Sequence, residues 1–147
     1  MRGKRELSEA KGASEKDLIR LYDNSISENE RLACLAIEEL SASAKELLTL
    51  SKERSKKKRA QSLDAMKELV LKCENLKSHV AWYLNVMSTS AASAATMAQR
   101  SSLAGAKKMR LAYGKKRVSL LEKYEKAEAE YEKAMCRMSP SEKDMVG

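Results

Sequence analysis

Apolar residues in this chain recur at steps of three and four over most of its length. The first series runs Leu18, Tyr22, Ile26, Ala33, Ile37, Leu40, Ala44 and Leu47, interrupted by Asn29. Steps of that size place side chains on one face of an α-helix. The second series is the most regular: Met66, Val70, Cys73, Lys77, Val80, Leu84, Met87, Ala91, Ala94 and Ala98, alternating fours and threes. It has the form of a heptad seam with one charged member, Lys77. The third series is Met109, Tyr113, Arg117, Leu120, Tyr124, Ala127, Tyr131, Ala134 and Met138.

The spacing of helix breakers agrees with these series. Pro140 is the single proline, and Ala13 to Ala104 contains no glycine. A β-rich chain needs turn residues every ~8–12 positions, so all-β and α/β folds are hard to reconcile with this spacing. The first helix is predicted to start at Ser14, where Ser-Glu-Lys-Asp supplies a cap and an acid three residues later. Helices are expected over 14–51, 60–100 and 106–138, within one helical domain spanning 14–138. Residues 1–13 and 139–147 are expected to be disordered tails, with Ser139-Pro140 stopping the last helix. The predicted fold is all-α: an elongated antiparallel helical hairpin or three-helix coiled-coil-like bundle, expected to oligomerise.

Composition narrows the kind of core available. The chain of 147 residues is 43% apolar and 34% charged, yet it has no Phe and one Trp. Aromatic side chains bury the most area, and their scarcity favours narrow helix–helix seams over a thick centre. The Ala-rich end of the second series permits close approach of helix axes. Val80 to Gln99 carries no formal charge, but Asn85, Gln99 and many Ser and Thr make it too polar for a membrane span.

Catalytic candidates are few. His79 is the single histidine and lies beside a seam position, as a boundary residue on a helix would. The three cysteines, Cys34, Cys73 and Cys136, have neither disulfide nor metal-ligand spacing. With no apolar leader at the start, they suggest a reducing intracellular setting, cytoplasmic or nuclear. Phosphate-binding glycine loops are absent. The chain is therefore expected not to be an enzyme and to need no cofactor, metal or small-molecule substrate.

Charge changes the picture more than chemistry does. The net charge is +8, and it is concentrated. Lys52, Arg54, Lys56, Lys57, Lys58 and Arg59 face one acid, Glu53, and no acid falls between Arg100 and Arg117, a stretch holding Lys107, Lys108, Arg110, Lys115 and Lys116. Two functions from different classes follow. The first is a helical adaptor or structural subunit of a cytoskeletal, trafficking or chromosome-associated assembly. Its partner-helix seam would be Met66, Val70, Cys73, Val80, Leu84, Met87, Ala91, Ala94 and Ala98, meeting a second copy or another helical protein. The second is a polyanion-binding module for nucleic acid, anionic lipid or an acidic protein surface. That module would use Lys56, Lys57, Lys58, Arg59, Lys107, Lys108, Arg110, Lys115, Lys116 and Arg117. Long helices carrying basic blocks are loosely similar in layout to BAR-type membrane-curving modules, an analogy of architecture.

Overall fold

The computed structural model describes the backbone of residues 4–100 and 106–147, and side chains over 17–97 and 111–147. It is all-α. Among the described residues five helices follow in order: α1 (Lys4–Ser51), α2 (Lys56–Gln61), α3 (Leu63–Arg100), α4 (Ala106–Cys136) and α5 (Pro140–Val146). No strand occurs among the described residues.

Contacts divide the chain into two units. The first comprises residues 1–31 and 83–118, the second 32–82 and 119–147. The three long helices each contribute a segment to both.

In the second unit, α1 presents Ala33, Ile37, Leu40, Ala44 and Leu47, α3 presents Met66, Val70, Cys73 and Val80, and α4 presents Leu120, Ala127, Tyr131 and Ala134, all buried. Fully burying a Leu or Met side chain is worth ~1.5–3 kcal/mol, so Leu40, Leu47 and Met66 are major contributors. Polar bridges fix the alignment. Tyr131 donates to Glu74 Oε1 at 2.7 Å, and Lys77 Nζ stands 4.0 Å from Glu128. The residue numbers fall on α4 as they rise on α3, so these two segments are antiparallel. The α1–α3 pair is joined by the short 52–62 connection and linked by Glu39–Lys72 at 3.0 Å. The order is thus up, down, up.

The first unit is built with smaller side chains. Ile26, Met87, Ala91, Ala94 and Ala95 are buried there. Ser90 Oγ donates to Ser25 Oγ at 3.2 Å, while Lys116 Nζ lies 3.6 Å from Glu30.

Both predicted tails differ from expectation. The backbone is already helical at Lys4, ahead of the Ser14 cap. Residues 139–147 are not a disordered tail but a capped helix packed on the bundle. Ser139 stops α4 and starts α5: its hydroxyl accepts from Glu142 N, the Glu142 carboxylate accepts from Ser139 N, and Pro140 supplies the first helical residue. Val146 is buried, docking the far end.

The first basic block interrupts the helices as a connection. A continuous helix through it would bring like charges together at i,i+4. Instead α1 ends, residues 53–55 leave the helical path, and Ser55 caps α2 by accepting from Lys58 N. Glu53 steadies the turn by accepting from Ser55 N at 3.1 Å.

Candidate functional site

The heptad seam on α3 lies against the chain's own helices. Met66, Val70, Cys73, Val80, Met87, Ala91 and Ala94 are buried, Leu84 is half-buried, and the Ala98 side chain is outside the described residues. As a surface for a second chain, the seam is already covered. Its charged member is accommodated: the Lys77 stem lies along the bundle while its ammonium reaches Glu128 and sits 5.3 Å from the Tyr131 ring centroid. Burial pushes the Cys73 thiol up to about 11, which makes it a packing residue rather than a nucleophile. Tyr131 is also pushed upward, by burial first and its bond to Glu74 second.

Arg59, a candidate for polyanion contact, is turned inward. Its guanidinium forms a two-pronged pair with Glu142, at 2.8 and 3.1 Å, and donates to the carbonyls of Ser51, Glu53 at 2.9 Å and Arg137 at 3.3 Å. Both partners are largely enclosed, at 17% and 16% exposure. The planar fork suits this task, tying the 52–55 turn to α5 with charge-assisted bonds. The Arg59 bond, followed by the Ser139 cap, brings the Glu142 carboxyl down to about 2.

The remaining cations of that block behave differently. Lys52, Arg54, Lys56, Lys57 and Lys58 are exposed, and none has a carboxylate within ion-pair distance among the described residues. Beside them opens a cleft of about 700 Å³, walled by the 52–55 turn, the start of α2 and the α4–α5 junction. In the second block, Lys115 and Arg117 are exposed and Lys116 pairs with Glu30. The side chains of Lys107, Lys108 and Arg110 lie outside the described residues.

His79 is on the exposed side of α3, in a shallow groove of about 410 Å³ with Glu39 and Glu68. The Glu39 carboxylate is taken by Lys72. His79, Glu39 and Glu68 are all exposed to solvent in this groove. No cluster of three potential metal ligands occurs among the described residues, nor is any helix there long and apolar enough to cross a membrane.

Two features were not singled out by periodicity. Trp82 is 64% exposed, Leu71 63% and Leu35 50%. Leu71 and Trp82 are eleven residues apart, three helical turns, and so share one side of α3. Leu35 is one turn from Glu39, whose ion pair with Lys72 places that side of α1 beside Leu71. Asn75 and His79 stand between Leu71 and Trp82 on that side, so the three are separate exposed apolar side chains on the outer α1–α3 surface. The second feature is Arg137, which the α4–α5 junction brings to the wall of the basic cleft. The signal for their exposure was present in the sequence, since Leu35, Leu71 and Trp82 all fall between seam positions.

No protein-family model, no curated protein and no solved structure matches the chain.

Proposed function

We propose that this protein is a non-catalytic helical interaction subunit that engages a partner protein through the outer α1–α3 face of its second unit. The observation that carries the reading is Trp82, held on a helix with nearly two thirds of its surface in water, on the same side of α3 as exposed Leu71. Trp is among the residues on which binding energy concentrates, and apolar side chains on a rigid element lose little entropy on docking. Covering three such side chains yields roughly 5–8 kcal/mol gross. Association costs of ~4–15 kcal/mol mean that a partner needs polar contacts around these side chains as well. Glu39, Glu68, Lys72 and Asn75 supply such a rim. The buried seam builds the scaffold, and the assembly it serves is of the cytoskeletal, trafficking or chromosome-associated kind.

The test is affinity capture from native cells, comparing the unaltered chain with Leu71→Ser/Trp82→Ser. Both positions are exposed, so helicity should persist while specific partners drop out. An identical partner set for the two proteins would refute the reading.

A second reading, polyanion binding, is favoured by the exposed and unpaired Lys56, Lys57 and Lys58, with Lys115 and Arg117 on α4. Reversing these charges should abolish binding to DNA or anionic liposomes at low salt without altering helicity.

A further inference from the structure

We infer that the cleft beside the 52–55 turn is a binding site for a compact, multiply phosphorylated group, presented either by a soluble polyphosphorylated molecule or by a lipid headgroup. The inference rests on the polyanion reading and narrows it to one place and one chemistry.

The site is concave, and about 700 Å³ is within the range of small-ligand sites. Its cations converge from separate parts of the chain. Lys52 and Arg54 come from the turn, Lys56 from α2, and Arg137 from the end of α4, some eighty positions later. A solvated helix face would not gather them in this way.

Five cations and two carboxylates line the walls, a net of +3. Both carboxylates are engaged: Glu142 by Arg59, and Glu53 by the amide of Ser55. Arg59 spends its donors on the protein and so forms a fixed floor, leaving Lys52, Arg54, Lys56 and Arg137 to meet a ligand. Ser139 and Ser141, from the same junction as Arg137, add hydroxyls to the lining, 3.1 Å apart.

The wall composition selects among anions. No aromatic residue lines the cleft, so there is no platform on which a nucleobase could stack. Four cations around a concavity suit several phosphates close together, whereas a nucleic-acid strand calls for charge spread along a track.

Calorimetry with inositol hexakisphosphate at physiological salt, and sedimentation with liposomes containing phosphatidylinositol bisphosphate, test the site. Lys52→Ala/Arg137→Ala removes two charges from the wall. Lys57→Ala/Lys58→Ala removes two exposed charges that do not line it. The first pair should weaken binding at least tenfold and the second less than threefold, with unchanged circular dichroism for both. Binding of the free probe indicates a soluble ligand. Sedimentation beyond that with phosphatidylserine liposomes of equal charge, without binding of the free probe, indicates the headgroup; either supports the site. Equal weakening by the two pairs, or displacement of the probe by duplex DNA with the same dependence on both, overturns the cleft and leaves diffuse polyanion attraction standing. Failure of the unaltered protein to bind hexakisphosphate, both liposomes and DNA overturns the site and the broader reading together.

Discussion

Substituting Glu142→Gln removes one charge and almost no volume, which isolates the electrostatic part of the Arg59 latch. The carboxyl falls from 4.5 to about 2 in the folded chain, through Arg59 first and the Ser139 cap second. A shift of that size corresponds to roughly 3 kcal/mol at neutral pH. The folded-state pKa is depressed, so this contribution is complete above pH ~4.5, declines as pH falls toward 2, and is absent below. Glutamine retains part of the hydrogen bonding, so the expected difference between the two proteins at pH 7 is about 2–3 kcal/mol. It should appear locally, because a seven-residue helix has little stability of its own. Native-state hydrogen exchange of the α5 amides is the assay, among them Lys143, bonded to Ser139 O, and Gly147, bonded to Lys143 O. Protection in Glu142→Gln should be roughly a hundredfold lower at pH 7 and within threefold of the unaltered chain at pH 2. Since the other carboxylates titrate in both proteins, their effects cancel in the comparison. A difference that stays constant from pH 7 to 2 would refute an ionic latch and leave only a steric role for residue 142.

Three further outcomes follow from the packing. Tyr131→Phe removes a buried hydroxyl from Glu74 and should lower stability by about 1–2 kcal/mol in urea denaturation, with unchanged helicity. Gly114→Ala adds a Cβ that meets nothing within 4 Å inside α4, so it should raise the melting temperature by an amount equivalent to about 0.5–1 kcal/mol. A thiol reagent at pH 8 should label exposed Cys136 promptly and Cys73 only after denaturation; simultaneous labelling would contradict the buried, high-pKa environment of Cys73.

Most of the helical scaffold was legible because one face of each helix is repetitive in sequence. Met66, Val70, Cys73, Val80 and Met87 are buried as their spacing requires, and Leu40, Leu47, Leu120 and Ala134 are buried on the facing helices. Periodicity identifies a buried face but not what covers it, which is why a seam that could have met a second chain is covered by the first. The C-terminal helix is not what Ser-Pro by itself predicts, since that dipeptide ends a helix. The tetrad Ser139-Pro140-Ser141-Glu142 is also a capping box, with proline where a first turn accepts it. The role of Arg59 was not legible at all. Within a run of cations nothing distinguishes it from Lys58, and its carboxylate partner belongs to a distant segment that only the folded bundle brings near. Trp82 illustrates the converse: its exposure follows from the seam being elsewhere, yet a lone Trp in an aromatic-poor chain invites placement in the core.

The ion pair between residues 59 and 142 closes a stretch of 83 positions. Confining the ends of a free chain of that length costs about 4 kcal/mol in entropy, more than the roughly 3 kcal/mol the pair returns. The pair therefore cannot draw the chain together by itself. It forms after the long helices have associated and have already met the closure cost, and on warming it should part before they do. Its integrity thus works as a gauge of bundle formation, reporting at the surface whether the apolar stripes beneath have found one another.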